Sequence, residues 1–256
     1  MFADERKALI LAQLQQRHSV SVAELAKQLT ASESTIRRDL QDLEEQGRLK
    51  RTHGGAVSIE VAAFEPSIQE KSVQNQVAKS AIAKAAQSFI QTGDTVLLDA
   101  GTTTLQIARQ FTGRGVTFIT NSLAIADELA NRADIQVLLL GGELRPTTGA
   151  IVGPFCEQML ARLHVDILFL GANGIDAEHG VTTPNVSEAA TKSAMIRAAR
   201  RVVLVADHSK FDQISLVQVC PIDAIDTLVT DAEVGGDLRQ ALLEHKVEVV
   251  VAKSNR

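Results

Sequence analysis

Apolar positions near the start of the chain fall first on helical spacing and then on alternation. Ile36, Leu40 and Leu43 lie at i, i+4 and i+7, which turns one stripe of a helix inward and leaves Ser34, Arg37, Arg38 and Gln41 on the opposite stripe. Upstream, Ser21 and Glu24 have the Ser-x-x-Glu spacing of a capping box, so a short helix is predicted over about 22–29 with Leu25, Ala26 and Leu29 facing in. Thr30 and Ala31 form the turn, and Ser32 is placed to cap the next helix. That geometry aims the N-terminal amides and the Ser34 and Thr35 hydroxyls at phosphates or base edges. Residues 47–57 then alternate around Gly54-Gly55, which predicts a two-stranded ribbon carrying Arg48, Lys50, Arg51 and His53 without an acidic neighbour. Two amphipathic helices joined by a turn occur in many helical domains. The adjoining basic ribbon, suited to lie along a phosphate backbone, is what makes residues 1–57 a winged helix-turn-helix.

Residues 58–75 contain Glu65-Pro66-Ser67 and little apolar periodicity, and read as a linker entering a helix over about 76–91. Beyond it, short apolar runs alternate with helical patterns. The runs are 96–98, 116–119, 137–140, 167–170, 202–205, 228–229 and 247–251, and helices are predicted over about 105–111, 123–131, 155–163, 186–200 and 238–245. Continuous Val/Leu/Ile runs between helices imply buried parallel strands, so residues 76–256 form an open, mostly parallel α/β sheet domain.

Small and polar residues follow these strands, where an open α/β sheet places its ligand crevice. They are Asp99, Gly101, Thr102, Thr103 and Thr104 after the first, Thr120 and Asn121 after the second, Gly141, Gly142 and Arg145 after the third, Gly171 and Asn173 after the fourth, and Asp207 and Lys210 after the fifth. The 101–104 turn opens directly into a helix, so amides, hydroxyls and the positive helix end are placed to hold a phosphate, with Arg145, Lys192 and Lys210 supplying charge. Gly and Thr are also ordinary strand-to-helix punctuation, and Asp207 or Asp231 serves equally as a helix cap. Five such loops in succession favour one polar pocket. No Gly-x-Gly-x-x-Gly or Walker pattern occurs, which argues against a nucleotide and leaves a sugar phosphate as the ligand class.

Asp99, Glu188, Asp207 and Lys192 have the chemistry of a sugar-phosphate isomerase, which is the competing reading. The same groups also serve without catalysis, Glu188 and Lys192 as an i, i+4 pair on one helix and Asp99 as a loop-end cap. Because an attached DNA module gives binding a use without turnover, sensing is favoured and no enzymatic activity is expected.

Charge first looks wrong for a DNA binder, since the 256 residues carry a net −5. Divided, residues 1–57 hold nine Lys/Arg against eight Asp/Glu, net +1, and the remainder holds seventeen against twenty-three, net −6. Asp39, Asp42, Glu44 and Glu45 sit toward the far end of the second helix, so the first module is polarised. Trp and Tyr are absent, which removes the usual stacking platform for single strands and favours duplex DNA. Cys156 and Cys220 are too few for a disulfide framework, no leader or long apolar run marks a signal or membrane span, and a cytoplasmic location is expected. His18, His164 and His245 lack ligand spacing, so neither a metal nor a cofactor is expected. One reading head offers few base contacts, which implies a homo-oligomer, dimer or tetramer, on repeated or palindromic half-sites.

Along nearly its whole length the sequence resembles the DeoR family of bacterial transcriptional regulators. The resemblance rests on Thr-Ile-Arg-Arg-Asp-Leu at 35–40 and Arg-x-His-Gly-Gly-Ala at 51–56, then on Asp99 to Thr103, Thr120-Asn121, Gly141-Gly142, Gly171 and Ser209-Lys210-Phe211. It implies an effector domain with a fold like that of ribose-5-phosphate isomerase, sensing a phosphorylated sugar and releasing operator DNA. Within the family, residues 31–40, 149–153, 182–184 and 188–189 are most similar to the fructose-operon repressors, whose effector is fructose 1-phosphate.

Overall fold

A computed structural model of the protein describes residues 2–17, 19–52, 54–57 and 67–253. The first module contains helices α1 (Ala3–Arg17), α2 (Val22–Gln28) and α3 (Glu33–Glu45) with strands β1 (Ser19–Ser21), β2 (Lys50–Thr52) and β3 (Gly55–Val57). Both expected caps form. The Ser21 hydroxyl accepts from the Glu24 amide at 3.1 Å and the Ser32 hydroxyl from the Thr35 amide at 3.2 Å. Leu25, Leu29, Ile36, Leu40 and Leu43 are buried together with Ile10, Leu14 and Leu49.

The ribbon differs from expectation in two respects. It has three antiparallel strands, in the order β1-β3-β2, because residues 19–21 pair with β3. Gly55 belongs to a strand and not to the turn, since it already pairs with Thr52. Gly55 is required by close approach to β1, where a Cβ would stand 1.8 Å from the Val20 carbonyl oxygen. Helix α1, which the periodicity did not reveal, is tied to α3 by Arg6, whose guanidinium donates to Asp39 at 2.5 and 3.0 Å, and by Lys7 to Asp42 at 2.5 Å.

Residues 58–66 of the expected linker lie outside the described residues. The remainder of it is structured: α4 (Ile68–Val73), opened by a Ser67–Glu70 capping box, leads through a left-handed Asn75 into α5 (Gln76–Ala86). The predicted helix over 76–91 ends earlier, passing into a short 3-10 turn at Gln87–Phe89.

All seven predicted strands appear in one parallel sheet: β4 (Thr95–Leu98), β5 (Thr117–Thr120), β6 (Gln136–Leu139), β9 (Val165–Gly171), β12 (Ala199–Val205), β14 (Thr227–Thr230) and β15 (Glu248–Val251). Their order is β15-β14-β12-β9-β4-β5-β6. The chain therefore steps outward from β4 through β5 and β6, returns to β9 on the other side of β4, and steps outward again. Strand alternation sends Leu97, Leu168, Leu170 and Leu204 to one face and Val96, Leu98, Phe169, Val203 and Val205 to the other. Helices α5, α6 (Thr102–Gln110) and α7 (Leu123–Ala130) cover the second face, and α8 (Pro154–Leu160), α9 (Val186–Ala198) and α10 (Gly236–Glu244) the first. Five short strands not anticipated from the sequence complete the domain: a hairpin of β7 (Glu143–Arg145) and β8 (Ala150–Val152), and an antiparallel sheet of β10 (Gly174–Asp176), β11 (Gly180–Thr183) and β13 (Val217–Cys220).

The α1–α3 lock is testable. Asp39→Ala leaves a largely buried Arg6 without its carboxylate and is expected to destabilise the first module by about 3 kcal/mol. Arg6→Met with Asp39→Leu is expected to recover most of it. Thermal denaturation of the three proteins checks this; equal losses in the single and double variants would rule out the uncompensated charge as the cause.

Candidate functional site

On α3 the side chains of Ser34, Arg37, Arg38 and Gln41 are exposed, as is the capping Ser32, while Thr35 is half-buried. The Ser34 and Thr35 hydroxyls lie 2.8 and 2.7 Å from the Ser32 hydroxyl, so they share in the cap. Arg37 lies 3.5 Å from Glu33 and Gln41 donates to Glu45 at 3.2 Å, both along the helix. The acidic residues are answered from elsewhere, Asp39 and Asp42 by α1. Arg51 needs a correction: it lies 4.0 Å from Glu44 and its amide donates to that carboxylate at 2.9 Å, because β2 folds back beside α3. Sequence neighbours did not reveal this acidic partner. Arg48 is exposed, Lys50 opens β2, and His53 lies outside the described residues.

In the second domain the chain reverses its direction of travel across the sheet between β4 and β9. Such a switch point leaves a crevice beyond the carboxyl ends of the strands. A cleft lies there, lined by Gly101, Thr102, Thr103 and Thr104 after β4, Gly171 and Asn173 after β9, and Asp207 and Lys210 after β12. No side chain caps the start of α6, so its first amides remain available at the cleft. The Thr104 hydroxyl is committed inward, donating to the Asp99 and Gly101 carbonyls at 2.6 and 3.0 Å. Sequence reasoning missed the opposite wall, formed by Lys71, Gln74, Asn75 and Lys79. Lys71, Gln74 and Asn75 fall in the segment read as a linker and Lys79 in the helix predicted after it, and no local pattern in either points to the cleft.

Other expected residues lie behind the cleft. Asp99 is buried against Lys192, whose ammonium also reaches the Gly171 carbonyl at 3.1 Å, while Asp99 accepts from the Gly171 amide at 3.0 Å. Burial pushes the Asp99 carboxyl up, against the opposing pull of Lys192. Glu188 takes Arg145 at 2.5 Å and Thr148 at 2.6 Å. Burial raises its pKa, but Lys192, Thr148 and Arg145 outweigh that and hold it low. Asn173 is the link outward, accepting from Thr183, which also faces Glu188 at 3.4 Å. Arg145 and Lys192 therefore neutralise buried carboxylates, and the charge at the cleft comes from Lys71, Lys79 and Lys210.

Thr120 and Asn121 brace the loops: Thr120 donates to the Leu98 carbonyl at 2.7 Å, and Asn121 bridges the Ala100 amide at 2.8 Å and the Ile151 carbonyl at 2.9 Å. Gly141 and Gly142 line a separate groove with Phe155, Gln158, Met159 and Arg162. Gly142 serves packing there, since its φ is +150° and a Cβ would meet the Val152 carbonyl at 2.6 Å. These four residues are removed from the cleft by the geometry of their own loops.

The DeoR-like helix-turn-helix domain model matches residues 6–62, and that of the DeoR C-terminal sensor domain matches residues 74–232. The chain belongs to the DeoR family. The HTH-type transcriptional regulator GlpR of Haloferax volcanii is 42% identical over 251 residues, 98% of each chain. The uncharacterized HTH-type transcriptional regulator FruR of Bacillus subtilis is 41% identical over 234 residues, 91% of this chain and 93% of that one. Among solved structures, ribose 5-phosphate isomerase A from Methanocaldococcus jannaschii is similar over 54% of this chain and 55% of its own, at 19% identity and a TM-score of 0.40. The exposed α3 face thus lies in the helix-turn-helix domain and the switch-point cleft in the sensor domain of a DeoR-family regulator. No helix among the described residues is long and apolar enough to cross a membrane.

On the DNA side, Arg38→Ala is expected to weaken operator binding by about 1–3 kcal/mol while leaving ligand binding unchanged. Anisotropy titrations at several salt concentrations check it. A loss equal on specific and random DNA would reassign Arg38 to phosphate contact, and no loss would remove α3 from the interface.

Proposed function

We propose that this DeoR-family regulator represses a sugar-utilisation operon, fructose being the sugar, and leaves its duplex operator when fructose 1-phosphate occupies the sensor cleft. The observation that carries the reading is the meeting of the uncapped α6 turn with Lys71, Lys79 and Lys210 at one switch-point cleft. Backbone amides at a helix start together with cations suit a phosphate monoester. The sugar assignment draws on the segments most similar to the fructose-operon repressors. Thr148, Thr183 and Gly153 from those segments or beside them surround Glu188 and α9, with the Gly153 amide donating to Thr191 at 3.3 Å. That polar cluster, reached from the cleft through Asn173, is where sugar hydroxyls would be read.

Binding without turnover is supported by the state of the carboxylates. Asp99 is paired with Lys192, Glu188 with Arg145 and Thr148, and Asp207 accepts from Asn75 at 2.8 Å and from the Ser209 hydroxyl at 2.5 Å. Each acts as an acceptor within the fold, and proton abstraction from a sugar would need one of these partnerships to break. A homo-oligomer in the cytoplasm, binding repeated half-sites, completes the proposal.

Calorimetry with fructose 1-phosphate and with fructose is the direct check. The phosphate ester is expected to bind and the free sugar to fail, because the α6 turn and the lysines then have no anion to hold. Thr102→Phe, crowding that turn, is expected to give a super-repressor that stays on its operator in the presence of inducer. Equal binding of both sugars, or steady isomerase turnover, would contradict the reading.

A further inference from the structure

The two edges of the parallel sheet differ in what guards them. An edge strand presents a row of unpaired amides and carbonyls, and native folds protect such a row with charge, proline or a covering element. At β15 the charge is present: Glu248 opens the strand and accepts from Arg201 at 3.0 Å, with exposed Lys246 and Lys253 on either side. At β6 it is missing, and residues 135–141 read Ile-Gln-Val-Leu-Leu-Leu-Gly. The inner row of β6 is committed to β5, since the Gln136 and Leu140 amides donate to the Val116 and Thr120 carbonyls at 3.1 and 2.9 Å. Alternation therefore turns the main-chain groups of Val137 and Leu139 outward, and no strand among the described residues pairs with them. The next amide in that outer row, Gly141, already donates to the Met159 sulfur at 3.2 Å. Apolar side chains gather at the same edge: Leu138 is 38% exposed, Leu139 37%, Leu144 of β7 47% and Phe155 of α8 74%. Phe155 also lines the groove beside the edge, with Gly141, Gly142 and Met159.

We propose that β6 is the surface through which two copies of this chain associate, each β6 pairing antiparallel with the other about a two-fold axis, so that one sheet runs through both sensor domains. This locates the interface of the homo-oligomer proposed above and rests on that reading. The occupant follows from the chemistry of the edge. With Leu138 opposite Leu138, Val137 of each copy faces Leu139 of the other. These are the residues whose main-chain groups point outward, so each such pair exchanges two hydrogen bonds. The same register lays the uncharged run 135–141 on itself and sets Asp134 opposite Gly142, so no like charges meet. A second copy therefore matches the edge in bonding, polarity and charge at once, as a two-fold interface requires of a single patch. A strand pair alone is smaller than the roughly 800 Å² per copy of a standard interface. The exposed Leu144 and Phe155 flank the paired strands and extend the contact beyond them.

The experiment is sedimentation velocity on the full chain and on Leu138→Arg, Leu138→Glu and Leu138→Cys, with thermal denaturation to check that each variant folds. In Leu138→Arg two guanidiniums oppose each other at the axis, and association is expected to weaken about a hundredfold, halving the mass of the particle. Leu138→Glu is expected to do the same. Mixing these two variants is expected to restore the wild-type mass, because in this register residue 138 meets only residue 138 of the other copy. Leu138→Cys brings two thiols together with their Cβ atoms about 4.5–5.5 Å apart, so diamide is expected to cross-link the copies, while the natural Cys156 and Cys220 are buried. Should the charged variants unfold, this cross-link decides. A monomeric wild type would remove the homo-oligomer and this inference with it. An oligomer whose mass is unchanged in Leu138→Arg and that fails to cross-link through Leu138→Cys would overturn the inference while leaving the homo-oligomer intact. Loss of association in both charged variants, with neither rescue on mixing nor a cross-link, would mean an interface that buries Leu138 without strand pairing, and would overturn the pairing.

Discussion

Asp99 and Lys192 form the contact around which the sensor domain is arranged. The carboxylate stands at the end of β4, the ammonium on α9, and both reach the main chain of Gly171 at the end of β9. One pair therefore joins the two strands that flank the switch point to a helix on one face of the sheet. Gly171 is suited to this position, since a Cβ would come within 3.3 Å of Asp99. Breaking a pair of this kind by removing one partner strands a charge in the interior and costs far more than the pair contributes when intact. The cleft inherits its shape from this arrangement: the 101–104 turn leaves directly from Asp99, and Asn173 follows Gly171 by two residues.

The two modules use the same device for different ends. In each, carboxylates are neutralised by cations from a neighbouring element. Arg6 and Lys7 answer Asp39 and Asp42 in the first module, and Arg145 and Lys192 answer Glu188 and Asp99 in the second. Arg37 and Arg38 are exposed on α3, and Lys71, Lys79 and Lys210 line the cleft. A chain of net charge −5 thereby presents two sites suited to anions.

Much of this was legible in the residues. The inner strands of the parallel sheet are legible as apolar runs because burial on both faces requires them to be; the edge strands β6 and β15 are apolar as well, although neither is buried, and Ser21 and Ser32 mark their helices because cap chemistry is local. The helix α1 was not legible, since among its described side chains only Ile10 and Leu14 are deeply buried and its anchoring to α3 depends on long-range ion pairs. Glycine signals were ambiguous for the same reason: Gly54-Gly55 read as a turn, yet Gly55 answers a close approach by β1 that no local pattern encodes. At the cleft, the loops after β4, β9 and β12 were found by following the strands. Lys71 and Lys79 were not, because Lys71 falls in a segment whose only role in a linear reading is to connect and Lys79 in the helix after it, where no local pattern turns it toward the strand ends.

The central claim is that the sensor cleft and the α3 face are thermodynamically linked through one chain. Linkage is reciprocal, so the factor by which an effector weakens operator binding must equal the factor by which the operator weakens effector binding. Measuring the fructose 1-phosphate Kd of the full chain alone and saturated with its operator duplex tests this most directly. Weaker binding on the operator is expected, by the same factor that the effector imposes on operator affinity. Equal effector affinity in the free and operator-bound protein would contradict it, whatever either site binds in isolation.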